Sequence, residues 1–201
     1  MRRTMRVTYP LPTREYSLHL LYAALDYARK GYRVFPLYPY SFTGRCMCGQ
    51  RNCQLSGKHP LVQSLNEATT DPVTIARWWH QHETANIGLL TGDGLLVIEI
   101  DPRRGGSLAH FMHFYVVPET AMVQTAEGCW QLYFTYNRAF LLRATIDKFG
   151  LGTCSYGDGC YVVAPPSHGV GVDDYYTWHT TCAPERLPSV LLPTLIGCLL
   201  Y

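Results

Sequence analysis

The apolar positions of the chain follow a helical period at its start and a strand period further on. Apolar residues at helical spacing predict a helix over 14–30, and Gly31 ends it. Asp71 followed by Pro72 predicts the start of a second helix, because an aspartate cap and a proline in the first turn favour helix entry. Short apolar runs between turn residues predict three strands, at 33–37, 87–90 and 95–100.

Beyond Pro118 the pattern is that of strands and turns. The runs 121–125 and 130–136 flank the turn sequence AEGC and predict a hairpin. Further strands are predicted at 151–155, 160–164 and 175–178, and helices at 107–115 and 187–200. Helices mixed with hairpin-connected strands predict an α+β fold with a largely antiparallel sheet.

Two acidic residues interrupt the end of the strand LLVIEID. Strand side chains alternate between faces, so Glu99 and Asp101 leave the same face of the sheet. Two neighbouring carboxylates repel unless a cation lies between them, which favours an Mg²⁺ or Mn²⁺ site. Arg103 and Arg104 follow where they could contact phosphate oxygens. The alternative is a solvated strand end with an Arg–carboxylate pair.

The segment RCMCGQRNCQLSGKHP carries a set of metal-binding side chains within an insert at 44–60. Three thiols and one imidazole form the ligand set of a structural zinc site: Cys46, Cys48, Cys53 and His59. The segment has few apolar residues, so bound metal would contribute its folding energy directly. The alternative is three unrelated thiols in a loop. Lys58 is a further candidate phosphate contact.

Another candidate contact lies after the run CYVVAPP. Two prolines end the strand there, which places Ser167 and His168 in a turn at the strand end. Such a turn could touch a triphosphate or a ribose, and a plain edge-strand end explains it equally well. Trp78 and Trp79 are interpreted as core residues of the preceding helix.

Composition adds limits rather than a function. Charged residues make up 16% of the chain, below the roughly 25% of typical soluble domains, and the net charge is +2. This charge is too small to indicate nucleic-acid binding by itself. The most apolar stretch, SVLLPTLIGCLLY, is too short to span a membrane, which takes about 20 residues. We therefore expect a cytoplasmic protein without membrane contact, whose eight cysteines are thiols or metal ligands.

The chain resembles the N-terminal domain of bifunctional DNA primase/polymerases, called prim-pol, of the archaeo-eukaryotic primase superfamily. The resemblance covers 18–180 and rests on segments in the same order, including ALDYARKGYRVFPL, GKHP, ATTDPVTIARWW, ANIGLLTG, LLVIEIDPRRGG, QLYF, GDGCYVVAPPS and YYTW. It implies a two-lobed fold with an RRM-like catalytic sheet. We expect a single domain over 1–201, which the sequence pattern closes with a C-terminal helix over 181–201. It also implies metal-dependent nucleotide joining on single-stranded DNA or RNA, together with replication proteins or a helicase module.

The resemblance assigns roles to four positions of this sequence. Glu99 and Asp101 correspond to metal ligands of the family, which usually has aspartate at the first position. Gln131 stands where the family has a phosphate-contacting histidine, and a neutral amide brings no positive charge. Cys154 stands where the family has a third metal-binding aspartate, and a thiol is a poor ligand for hard Mg²⁺.

Three hypotheses follow. The first is a prim-pol domain with an eroded active site that binds nucleotide or nucleic acid in replication or in a mobile element, with weak or no polymerisation. The second is an active primase/polymerase with a substitute third acid, for which Asp147 and Asp158 are near in sequence. The third is an interaction module that kept only the fold. An acid converging on Glu99 and Asp101 separates the second from the first.

Overall fold

The computed structural model describes residues 14–41, 44–169 and 174–196 of the chain. The helices are α1 (Arg14–Arg29), α2 (Pro72–Gln81), α3 (Leu108–Phe114) and α4 (Leu192–Ile196). The strands are β1 (Val34–Leu37), β2 (Asn86–Leu90), β3 (Leu95–Ile100), β4 (Met122–Gln124), β5 (Trp130–Thr135), β6 (Thr145–Ile146), β7 (Thr153–Tyr156), β8 (Tyr161–Ala164), β9 (Thr177–Thr180) and β10 (Glu185–Arg186).

The strands form two sheets. β1, β2 and β8 form a three-stranded antiparallel sheet in the order β1-β2-β8. The larger sheet has seven strands in the order β6-β7-β3-β5-β4-β9, and β10 runs parallel to β5. The other strand pairs of this sheet are antiparallel, so the predicted α+β class with a largely antiparallel sheet is confirmed. The two-lobed division and the RRM-like form of the sheet stay predictions.

Strand β3 has apolar side chains on both faces. Leu96, Ile98 and Ile100 belong to one buried cluster, which also contains side chains of α3 and α4. Leu95 and Val97 belong to a second cluster with α1, α2 and the three-stranded sheet. Because side chains alternate along a strand, Glu99 continues the face of Leu95 and Val97. The strand therefore directs Glu99 toward the space between the two sheets.

The local signals of α2 are confirmed. Asp71 caps this helix, since its carboxylate accepts a hydrogen bond from the Thr74 amide at 2.8 Å, and Pro72 occupies the first turn. Trp79 is 2% exposed, and its indole nitrogen donates to the Ala85 carbonyl, as expected of a core residue. Trp78 packs against the same core from a partly buried position.

The chain end departs from the expected helix over 181–201. The described residues there form strand β10, a 3₁₀ turn at Ser189–Leu191 and the five-residue helix α4, and residues 197–201 lie outside the described part. Pro188 directly precedes the 3₁₀ turn, and Pro193 lies in the first turn of α4, where proline is tolerated because an amide there has no acceptor within the helix. No helix among the described residues is long and apolar enough to cross a membrane.

Asn86 joins the insert to the small sheet. This residue is fully buried, and its amide nitrogen donates to the carbonyls of Gly57 at 3.0 Å and His168 at 2.9 Å. Its carbonyl oxygen accepts from the His168 amide at 2.9 Å. One side chain at the start of β2 thus satisfies three backbone groups from two distant segments.

We expect Asn86→Ala to lower the free energy of unfolding by about 2–4 kcal/mol, because buried backbone groups lose their partners. Urea unfolding followed by circular dichroism measures the change. Asn66→Ala, at an exposed position, is the matched control and should change stability by less than about 0.5 kcal/mol. Equal stabilities of the Asn86 variant and the control would contradict this role.

Candidate functional site

Glu99 lies between two neighbouring strands of the larger sheet, β5 and β7. It is paired in register with Gln131 on β5 and with Cys154 on β7. The Gln131 amide donates to one Glu99 carboxylate oxygen at 2.9 Å, and the Tyr156 hydroxyl donates to the other at 3.3 Å. Tyr133 donates to the Gln131 carbonyl oxygen at 3.1 Å. The acid is thus held by neutral donors.

Asp101 is bound by the arginine two residues further along the chain. Arg103 places Nε 2.9 Å from Oδ1 and Nη2 3.0 Å from Oδ2, and its backbone amide also donates to Oδ1 at 2.9 Å. These hydrogen bonds from Arg103 hold the pKa of the Asp101 carboxyl below its usual value. The Arg–carboxylate pair that the sequence left open is therefore present, and Asp101 also caps the 3₁₀ turn Pro102–Arg104.

Glycines allow the chain to fold closely around Asp101. The Gly106 amide donates to the Asp101 carbonyl at 3.0 Å, and the Asp101 amide donates to the Gly152 carbonyl at 2.8 Å. A side chain at Gly152 would place its Cβ 2.6 Å from the Asp101 carbonyl oxygen, and the residue has φ of +72°. Gly106 and Gly152 therefore allow two segments of the protein backbone to pack against the backbone of Asp101.

Arg104 occupies the space beside Cys154. Its Nη1 lies 3.5 Å from the Cys154 sulfur, and its Nη2 lies 2.8 Å from an Asp147 carboxylate oxygen. Burial raises the pKa of the Cys154 thiol. Asp158 has different partners. Its carboxylate accepts hydrogen bonds from the Tyr136 hydroxyl at 3.0 Å and from two backbone amides. Of the two substitute acids, only Asp147 contacts an arginine that reaches Cys154.

A cleft of about 330 Å³ lies between the two sheets. Glu99, Gln131 and Tyr156 line it from the large sheet, and residues of β8 line it from the small sheet. Lys58 of the insert lines a further wall and is the basic residue among the described lining side chains. A carboxylate, a cation and several aromatic rings therefore face one space.

Glu127 holds Lys58 at this cleft. Its carboxylate lies 3.0 Å from the Lys58 ammonium and accepts from the Tyr176 hydroxyl at 3.1 Å. Burial acts to raise the pKa of Glu127, but Lys58 and Tyr176 outweigh it and the pKa lies below its usual value. The sequence places Glu127 only in a predicted hairpin turn and carries no signal for its pairing with Lys58.

Three of four carboxylates at the site are paired with basic residues. Three ion pairs join a basic residue to a carboxylate: Lys58–Glu127, Arg103–Asp101 and Arg104–Asp147. Glu99 is the further carboxylate, and the described structure gives it hydrogen bonds from neutral donors. Of these four carboxylates, Glu99 is thus the one without an ion pair in the described part of the chain.

Ser167 does not have the position expected of a phosphate contact. It is fully buried, and its hydroxyl accepts a hydrogen bond from the Ile87 amide at 2.8 Å. His168 is half-buried, with its backbone bonded to Asn86 and its ring against Tyr175 at 4.9 Å. Neither residue lines the cleft. The Ser167 hydroxyl is used to join the strand end to β2, and a phosphate contact by Ser167 or His168 stays a prediction.

The insert brings its four predicted ligands together. The ligand atoms of Cys46, Cys48, Cys53 and His59 all lie within 4.8 Å of one another, and the Cys53 sulfur is 4.0 Å from Nδ1 of His59. Tetrahedral zinc with bonds of about 2.0–2.3 Å places its ligands at nearly this separation. Three thiols and one imidazole fit a closed structural site that leaves no position for substrate. The cluster could hold a metal, and zinc is our prediction for it.

The fold and the site define an α+β protein with acidic residues at the end of a buried central strand and a separate Cys/His cluster. The family model for the N-terminal domain of bifunctional DNA primase/polymerases, Prim-Pol, matches residues 24–190. The chain therefore belongs to this family, and the resemblance seen in the sequence is confirmed. A comparison with curated proteins found no match.

Loss of the Arg103 pair should be visible in the pH dependence of stability. We expect Asp101→Asn to lower the free energy of unfolding by about 1–2 kcal/mol at pH 7, since a charge-assisted interaction is removed. The Asp101 pKa is depressed on folding, so this stabilisation is present above the unfolded value of about 3.9 and is lost as pH falls through the folded value.

Urea unfolding at several pH values between 7 and 3 measures this difference. Asp93→Asn is the matched control, because Asp93 forms an exposed pair with Arg138 at 3.6 Å. A difference between wild type and Asp101→Asn that stays constant over this range would contradict the assignment.

The Cys/His cluster predicts a second change in stability. We expect Cys53→Ser, or removal of bound zinc by a chelator, to lower the melting temperature by at least about 4 °C, because metal binding contributes folding energy. Cys182→Ser, at an exposed cysteine outside the cluster, should leave the melting temperature unchanged. Differential scanning fluorimetry measures both variants, and equal melting temperatures with and without zinc would refute the metal site.

Proposed function

We propose that this chain is a nucleotide- and single-strand-binding domain of the prim-pol family in which nucleotidyl transfer is weak or absent. Family membership gives it a primase/polymerase-type function. The observation that carries the proposal is the two-point contact of Arg103 with the Asp101 carboxylate. A divalent ion would have to displace two charge-assisted hydrogen bonds to use this acid as a ligand.

The third ligand position supports the same proposal. Cys154 offers a soft thiol whose pKa is raised by burial, and Arg104 lies 3.5 Å from its sulfur. A hard divalent ion prefers carboxylate oxygens, and a neighbouring guanidinium repels it. Gln131 directs its amide to Glu99 rather than supplying a positive charge for phosphates. Each departure thus weakens metal or phosphate binding.

In this proposal the two sheets are the two lobes, and the larger sheet is the RRM-like one. The cleft between the sheets holds the nucleotide, with Lys58 as its phosphate contact. Glu99 and Asp101 are the residues that would hold Mg²⁺ or Mn²⁺, which would neutralise charge on a triphosphate. Single-stranded DNA or RNA and replication proteins or a helicase module are the proposed partners.

One observation favours the alternative of an active primase/polymerase. Asp147 lies 2.8 Å from the guanidinium of Arg104, which also contacts Cys154 at the third ligand position. A change of the Arg104 rotamer toward solvent would free both Asp147 and the space beside Cys154. In that alternative Asp147 is the substitute acid and acts together with Glu99 and Asp101.

Primer extension and dinucleotide synthesis with Mg²⁺ and with Mn²⁺ test the proposal. We expect wild type to show no more product than Asp101→Ala in either metal. Labelled nucleotide or single-stranded DNA should nevertheless bind to wild type, with an affinity that falls as salt rises because phosphates dominate the contact. Circular dichroism of each variant controls for folding.

Product that is lost in both Asp101→Ala and Asp147→Asn would establish the active alternative instead. The absence of both product and binding would leave the interaction module that kept only the fold.

A further inference from the structure

The Cys/His cluster and the cleft share one short segment of chain. Cys53 and His59 belong to the cluster, while Leu55 and Lys58 between them line the cleft. A metal held by Cys53 and His59 would therefore fix both ends of the loop 54–58. The cleft wall formed by this loop would be ordered by the same ion.

The backbone of the loop is attached to the small sheet on the cleft side. The Tyr161 hydroxyl donates to the Lys58 carbonyl at 2.8 Å, and Asn86 donates to the neighbouring Gly57 carbonyl at 3.0 Å. The Tyr38 amide donates to the His59 carbonyl at 2.8 Å. These bonds set the direction in which the Lys58 side chain leaves the loop, so the metal and the sheet together position its ammonium.

Lys58 has capacity left for an anionic ligand. Its ammonium is 3.0 Å from Glu127, and its side chain is 40% exposed. An ammonium carries three donors, so this contact leaves others for phosphate oxygens. Among the described residues that line the cleft, Lys58 is the basic one, whereas Glu99 is acidic. A triphosphate entering the cleft thus depends on this one side chain for a favourable charge from the protein.

We propose that metal binding in the insert and triphosphate binding in the cleft are thermodynamically coupled through Lys58. A triphosphate held by Lys58 stabilises the loop conformation that retains the metal, and loss of the metal releases the loop and weakens triphosphate binding. The two effects must be equal, because coupling between two binding sites is reciprocal. The inference rests on the proposed nucleotide-binding function.

Zinc release from the zinc-loaded full chain tests the coupling. A large excess of a chromophoric chelator reports the release rate, with and without Mg²⁺-saturated ATP. We expect ATP to slow release from wild type by at least about five-fold, the lower end of typical coupling. Lys58→Gln should bind zinc but show less than a two-fold effect of ATP. ATP can also chelate zinc directly, but this effect is the same with both proteins. It therefore cancels when the release rates of wild type and Lys58→Gln are compared.

Two further measurements separate the outcomes. Lys30→Gln removes a lysine that pairs with Asp26 at 2.8 Å on α1 and should behave as wild type. Anisotropy of a fluorescent ATP analogue measures nucleotide binding in parallel, and its affinity should fall on zinc removal by at least about five-fold, the lower end of typical coupling. An unchanged rate of zinc release despite bound nucleotide would overturn the coupling and leave the proposed nucleotide binding intact. No nucleotide binding to the zinc-loaded wild type would overturn the proposed function and the coupling with it.

Discussion

The structure of the site depends on one strand that is buried on both faces. β3 contributes Leu96 and Ile98 to one core and Val97 to the other, so its register cannot move by one residue without exchanging the two sets. β5 and β7 pair with it on either side. Glu99 is therefore fixed between Gln131 and Cys154 by packing that has no part in chemistry, and the identity of these two neighbours decides what Glu99 can do.

The Asp101 carboxylate at the end of this strand attracts a positive charge, and two kinds of cation could supply it. A divalent ion must be recruited from solution, whereas Arg103 follows Asp101 by two residues and meets it across a single 3₁₀ turn. Because the arginine is part of the same chain, any ion that binds Asp101 competes with a partner that is always present. The turn sequence after the strand thus supplies Asp101 with a partner from its own chain.

Features set by nearby residues were predictable from the sequence, and features set by distant contacts were not. Asp71 caps its helix through an amide three residues away, and the four insert ligands lie within fourteen residues. Glu127 meets Lys58 only after the two sheets assemble, and the partners of Asn86 lie 29 and 82 residues away. The prediction that Ser167 follows the end of a strand is confirmed. The burial of its hydroxyl was not predictable, because it depends on a contact with Ile87 of β2, 80 residues away.

Gln131, Tyr133 and Glu99 form a connected hydrogen-bonded arrangement. Gln131 receives a hydrogen bond from Tyr133 and gives one to Glu99, and no buried side-chain nitrogen or oxygen within the described ranges lacks a partner. The side chains of Gln131 and Glu99 therefore have hydrogen-bond partners among their neighbours. What remains is an acceptor, Glu99, on the wall from the large sheet and a cation, Lys58, on the wall from the insert. The nucleotide proposed as the ligand combines phosphates with hydrogen-bond donors, and these are the groups that a cation and an acceptor would contact.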